Sequence, residues 1–224
     1  MLTSRVIPVL LIDDGDLYKT INFCNPKYVG DPLNTVRILN EKEVDELIVL
    51  DITSTKKNTL PDWELISHIS RECRMPFCYG GGVKSVAMVE KLISLGVEKV
   101  AIGNASFTSP EMIKDAVKSV GKQSIVGILD VKKFGFHKRY EAVVLGGEKR
   151  TKMNHLEYSN HLIKLGVGEI LLQNIDLAIS LLESYNIIVK NKSSYYESLS
   201  YPNNKNPKFI NVMISVTTVL PPVD

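Results

Sequence analysis

Short, almost fully apolar runs alternate with longer segments of helical periodicity along the first three quarters of the chain. RVIPVLLI (5–12) reads as a strand covered on both faces. A polar stretch follows to Gly30. Asp31-Pro32 then supplies an N-cap acid and a proline at the first helical position. The helix predicted there carries Val36, Ile38 and Leu39 and ends near Glu43. ELIVLDI (46–52) is the second strand and PDWELISHISREC (61–73) the next helix. The third strand spans 76–80, followed by a helix over SVAMVEKLISLG (85–96). EKVAIG (98–103) is the fourth strand, SPEMIKDAVKSV (109–120) a helix capped by Ser109, and SIVGILDV (124–131) the fifth strand. A polar excursion then forms a hairpin around Gly135 and Gly146-Gly147. A helix at 155–166 and a sixth strand, GEILLQNI (168–175), complete the series.

Strands alternating with helices of 10–15 residues imply a parallel sheet covered by helices. Six consecutive units favour an α/β fold of the closed (β/α)8, TIM-type barrel class, with an open sheet as the alternative. VDELIVLDIT (44–53) also resembles VGEILLQNID (167–176), a faint repeat at an offset of 123 residues that suggests two half-barrels. The pattern breaks afterwards. No glycine occurs after Gly168, although α/β turns and helix C-caps use it. DLAISLLESY (176–185) reads as a helix, and NIIVK (187–191) and FINVMISVTTVL (209–220) as strands around a polar stretch at 191–208. The chain thus divides into barrel units at 1–176 and an atypical tail at 177–224, and the barrel is expected to be incomplete or atypical after its sixth strand.

Composition narrows the class. At 44% hydrophobic and 23% charged, the chain is neither disordered nor fibrous. A net charge of +2 predicts no steering toward nucleic acid or anionic membrane. No apolar run is long enough to span a bilayer, and the N-terminus lacks a secretory pattern. Three scattered cysteines without a CxxC motif fit reduced thiols and a cytoplasmic protein. The four histidines have no metal-pair spacing, so neither metal nor cofactor is expected. Trp63 reads as packing.

Barrel chemistry sits at the C-terminal ends of the strands. Gly80-Gly81-Gly82-Val83 after the third strand exposes backbone N–H groups, as an anion site or a tight turn does. Gly103-Asn104-Ala105-Ser106 stands beside it. Asp130, at the tip of the fifth strand, suits a general acid or base if burial raises its pKa; a cap or salt bridge is the bland alternative. Asp51 after the second strand allows the same two readings. Lys19 suits a phosphate or an anionic intermediate, or is simply solvated. At the opposite rim, Arg5, Glu46, Lys99 and Glu169 precede the first, second, fourth and sixth strands. In one barrel they would ring its floor with alternating charge; otherwise they are ordinary strand-start charges.

These residues carry a resemblance. RVIPVLL, GDP (30–32), EVDELIVLDIT, PFCYGGGV, EKVAIGNAS, ILDVKK and GVGEILLQNID resemble the cyclase subunit of imidazole glycerol phosphate synthase, over residues 1–176. The resemblance implies a lyase or cyclase subunit in a heterodimer with a glutaminase, the partner in a glutamine amidotransferase. Ammonia would enter through the floor and react at the top with a phosphorylated intermediate. It makes Asp130, Lys19 and Asp51 catalytic, and Gly81, Gly82, Gly103 and Asn104 phosphate-binding. The family usually has Asn-Thr where this chain has Gly103-Asn104. Arg5, Glu46, Lys99 and Glu169 become an ammonia gate. Asp176 is the last matching residue, and the Asp-Gly-Thr loop of the second phosphate site is missing.

Leu11 occupies the position of the family's strand-1 catalytic aspartate. This departure, with NPKYVGDP, resembles the paralogous branch associated with surface-polysaccharide (lipopolysaccharide) loci, which supports acetamidino-sugar formation with a sugar amidotransferase. The alternatives are a true histidine-pathway cyclase, and a non-enzyme that is either an inactive truncated or frameshifted copy or a chain whose tail serves as an interaction segment.

Overall fold

The computed structural model describes residues 7–21, 24–135, 139–173, 187–192, 196–198, 209–211 and 214–218. In chain order, the elements to the first hairpin and helix are β1 (Val9–Asp13), β2 (Asp16–Ile21), β3 (Cys24–Gly30) and α1 (Pro32–Glu41). Next come β4 (Leu47–Asp51), α2 (Ile52–Lys56), α3 (Trp63–Glu72), β5 (Phe77–Gly80), α4 (Val86–Ser94) and β6 (Lys99–Ile102). Then follow α5 (Asn104–Thr108), α6 (Pro110–Val120), a 3-10 turn at Lys122–Ser124, β7 (Ile125–Phe134), β8 (Arg139–Val144) and β9 (Lys149–Asn154). The series ends with α7 (His155–Leu165), β10 (Glu169–Gln173), β11 (Ile187–Lys192), β12 (Tyr196–Ser198), β13 (Phe209–Asn211) and β14 (Ile214–Thr218).

Six strands pair in parallel in the order β1-β4-β5-β6-β7-β10. These are the six strands expected from the apolar runs. The helices start where their caps predict. Asp31 accepts from Asn34 N at 2.7 Å, with Pro32 in the first turn of α1. Asn154 and Glu157 form a reciprocal capping box at α7, which ends at Gly166 with φ +89°. Ser109 precedes α6 as expected but makes no side-chain cap bond there.

The polar stretch before Gly30 is not a loop. β1, β2 and β3 form an antiparallel meander, and Asp14 and Gly15, at φ +54° and +89°, make the turn from β1 to β2. Tyr18 and Tyr28 pack edge to face across it at 5.9 Å. The fifth strand also runs on to Phe134, so that β7 pairs β10 along one half and β8 along the other. The expected excursion hairpin is β8 and β9. In the tail, β11 pairs β14 and β12 pairs β13, each as a separate two-stranded ladder. The helix expected at 176–185 lies outside the described residues.

Alternate residues of the parallel strands face two different clusters. Leu47, Val49, Phe77, Tyr79, Val100 and Ile102 join the helices in the larger one. Ile48, Leu50, Cys78, Ala101 and Val126, with Leu11, Ile128 and Leu171 packed on them, form the other. The sheet is strongly curved. Lys99 Nζ on β6 donates to Glu46 Oε2 at 2.8 Å and to Glu169 Oε1 at 2.9 Å. In a flat sheet, β4 and β10 would stand roughly 19 Å apart, four strand spacings. One ammonium reaches both only because the sheet curls around the smaller cluster.

Candidate functional site

A cavity of about 420 Å³ opens at the C-terminal ends of the parallel strands. Leu11, Leu50, Ala101 and Ile128 form its apolar wall, and Asp130 stands in that wall. Asp51, Gly81, Gly82, Gly103 and Asn104 also line it, so seven of the residues singled out in the sequence meet at one place. Lys19 lies half-buried on β2, in register with Lys27 of β3, and is not part of the cavity lining. Arg5 and Asp176 lie outside the described residues.

Asp130 is the chemically distinctive group. Its Oδ1 is shielded from solvent and has no hydrogen-bond partner among the described residues. Burial pushes its pKa up to about 7, against a smaller opposing pull from Lys132. A carboxyl poised near neutrality can both give and take a proton.

Asp51 is held differently. It caps α2: Oδ1 accepts from Ser54 N at 2.8 Å, and Oδ2 from Ser54 Oγ at 2.7 Å and Tyr79 OH at 3.2 Å. Strand alternation puts it on the same side as Leu47 and Val49, away from the face that carries Leu50. Of its two readings from sequence, the geometry matches the cap.

The glycine run meets this cap. Gly81 has φ +136°, and a Cβ there would stand 2.7 Å from Asp51 Cβ and collide with Asp51 O. Gly82, at φ +66°, would meet Ser54 Cβ at 2.9 Å. Both glycines are therefore required by close approach to the α2 turn, whatever else binds there. Gly81→Ala is expected to cost about 2 kcal/mol or more, from strain and overpacking together. Urea unfolding measures this, and a loss below about 0.5 kcal/mol would contradict the geometry.

Gly103 precedes α5 without a side-chain cap bond. Asn104 Oδ1 accepts from Leu145 N at 2.6 Å, tying the β6–α5 corner to the β8–β9 turn. Leu145 and Gly146 of that turn complete the cavity lining, together with Lys84, whose Nζ donates to Asn58 O at 2.9 Å. None of these was singled out as site chemistry. The Gly146-Gly147 pair announces a turn but not where the turn lands. Behind the corner, Ser106 Oγ and Tyr158 OH lie 2.9 Å apart, and His161 Nε2 is 2.8 Å from Ser106 O.

At the other end of the strands, Lys99, Glu46 and Glu169 form a charge triad on the face that carries Cys78. The Glu46 side chain is 3% exposed and that of Lys99 15%. Burial pulls the Lys99 pKa down, but hydrogen bonds and attraction from both carboxylates outweigh it, and the net direction is up. Burial, with the Glu46 charge, pushes the adjacent Cys78 thiol up to about 12. The offset of 123 residues between the repeated segments is the spacing of Glu46 and Glu169, so both copies meet at one ammonium.

Among the described residues there is no cluster of His, Cys, Asp and Glu able to hold a metal. No described helix is long and apolar enough to cross a membrane. Trp63 packs on the large cluster, with Lys91 Nζ 4.1 Å from its ring centre, as packing predicts.

A family model described as histidine biosynthesis protein matches residues 5–178. The chain belongs to the histidine biosynthesis protein family. Members of this family are (β/α)8 barrels, and β1, β4, β5, β6, β7 and β10 are the first six barrel strands here. Two relatives carry provisional names: imidazole glycerol phosphate synthase subunit hisF3 of Vibrio vulnificus and hisF2 of Pseudomonas aeruginosa. They are 48% and 47% identical over 176 residues, or 79% of this chain and 68% and 70% of theirs. A Streptococcus mutans protein named imidazole glycerol phosphate synthase subunit HisF is 36% identical over 79% of this chain and 70% of its own. Within the histidine biosynthesis protein family, then, the chain is more similar to the hisF2 and hisF3 proteins than to that HisF.

Proposed function

We propose that this chain is an ammonia-using barrel subunit of the imidazole glycerol phosphate synthase type. It would take ammonia from a glutaminase in a heterodimer. Within that type we assign it to the paralogous branch supporting acetamidino-sugar formation in surface polysaccharide, beside a sugar amidotransferase. The observation that carries the reading is the pairing of Leu11 with Asp130. Leu11 lines the cavity on the inner face, where the family's first catalytic aspartate would stand, and the same cavity carries Asp130, whose Oδ1 has no hydrogen-bond partner among the described residues. One poised carboxyl suits a single proton transfer to or from an amine; imidazole closure by two aspartates needs a second group that leucine cannot supply. The charge triad supports ammonia entry at the floor, through Lys99, Glu46 and Glu169. The backbone N–H groups of the glycine run at 81–82 and of the corner at 103–104 would hold an anionic, phosphate-like group of the substrate. The higher similarity to the hisF2 and hisF3 proteins supports the branch.

A bacterial strain lacking its histidine-pathway cyclase tests the branch. Expression of this chain should leave the strain dependent on histidine. Growth without histidine would replace this reading by the true cyclase, which the raised pKa of Asp130 favours. The ammonia path is tested separately. Glu169→Gln keeps an acceptor for Lys99 while removing a charge. It should lower glutamine-dependent amination at least about tenfold in the complex and leave amination from added ammonium salt within about twofold, since only transit crosses the floor. Equal losses from both sources would remove the gate.

A further inference from the structure

The β8–β9 turn is held in an unfavourable conformation by a residue of the cavity. Leu145, Gly146 and Gly147 have φ of +57°, +61° and +83° in succession. Two glycines adopt this region freely, but a leucine does so against the contact between its Cβ and the backbone. Leu145 is moreover 39% exposed, so burial of its side chain does not account for the strain. What meets the strained residue is Asn104, 41 positions away, whose Oδ1 accepts from Leu145 N at 2.6 Å. A second tether lies beside it, where Lys132 Nζ donates to Gly147 O at 3.1 Å. Asn104, Leu145 and Gly146 all line the cavity that contains Asp130.

We propose that Asn104 is a positioning residue: its carboxamide oxygen holds the β8–β9 turn across the cavity mouth and so sets access to Asp130. Strain of this kind persists where the surroundings over-determine it, and it clusters at sites that must hold or release a segment. The assignment also revises the chemistry of the corner. Oδ1 and an anionic oxygen are both acceptors, so this atom cannot bind a phosphate-like group. An anion that pulled Asn104 around to donate through Nδ2 would release Leu145 N and free the turn. The cavity would thereby couple occupancy of its glycine end to opening of its hairpin side. The proposal rests on the cavity being the working site proposed above, but its test needs neither substrate nor partner.

Hydrogen–deuterium exchange followed by NMR on the full-length chain measures the latch. Asn104→Ala should speed exchange of the Leu145 amide about tenfold, while the amides of Leu129 and Val131 in β7 keep wild-type rates. Asn104→Asp retains the acceptor and should restore slow exchange. The carboxyl 13C signal of Asp130 gives the second readout. With Lys132 and Tyr158 as its titratable neighbours unchanged, its midpoint should fall in Asn104→Ala as water enters. A wild-type Leu145 rate in Asn104→Ala overturns the proposal, as does failure of Asn104→Asp to restore it. Equal acceleration of the β7 amides would make Asn104 a global stabiliser, and an unmoved Asp130 midpoint would mean that the turn does not shield the cavity; either also overturns it.

Discussion

Asp130→Asn is expected to stabilise the fold by about 2–4 kcal/mol at pH 8 and to leave it unchanged near pH 4. The sign follows from burial. Asp130 has its pKa pushed up to about 7 in the folded chain, from the ordinary 3.8. Between those values the folded state holds a proton that the unfolded state has released. Stability therefore falls as pH rises through this window, and the whole cost is present above about pH 7. Near pH 4 the folded carboxyl is neutral and asparagine differs little from it. Urea unfolding at both pH values measures the difference, and an equal change at both would mean that Asp130 is not raised. If the chain works as proposed above, the same substitution should also lower amination about 10²–10⁴-fold, because an amide cannot transfer the proton. Both results together would support the proposed proton-transfer role of Asp130.

Lys99→Met is expected to destabilise the fold by about 1.5–3 kcal/mol, because it removes a charge-assisted hydrogen bond from the shielded Glu46 carboxylate. The side chain of Glu46 is 3% exposed, so water cannot replace the lost bond. Adding Glu46→Gln should recover part of the loss, since a neutral amide tolerates the site better. A double-mutant cycle should give a coupling of at least about 1 kcal/mol, little changed by salt. Additive losses would mean that Lys99 and Glu46 act separately. The exposed pair Lys118–Asp115 is the useful contrast, because charges in solvent contribute roughly 0–1 kcal/mol and are screened.

Much of the architecture is legible in local signals. Asp31-Pro32, Asn154 with Glu157, and Gly166 mark helix ends because each cap bonds backbone groups within a few residues. The buried strands announce themselves as apolar runs because helices cover both faces of the sheet. The β2–β3 hairpin escapes a reading by hydrophobicity, since an edge ribbon needs backbone pairing more than burial. The Asp14-Gly15 pair between Ile12 and Leu17 signals only the turn from β1 into this ribbon. Asp130 stands out from its place near the end of the apolar run at 124–131, and Leu11 only by comparison with the family motif.

The sequence by itself determined the α/β class, the strand order as far as Gln173, the family, and which charged residues stand at the strand starts. Tertiary structure decided what those residues do. Only the curvature of the sheet brings Lys99 to two glutamates 53 and 70 positions away. Only strand alternation and the α2 turn make Asp51 a cap, and only packing shields Asp130 Oδ1 from solvent. The resemblance makes Asn104 phosphate-binding, and only the packed structure brings its Oδ1 to Leu145 N. The physical reason is range. Caps, periodicity and turns are set by backbone bonds a few residues apart, and composition records them. Bonds spanning 40 to 70 residues depend on how far a sheet curls and which face a strand presents, and those are settled only when all the layers pack together.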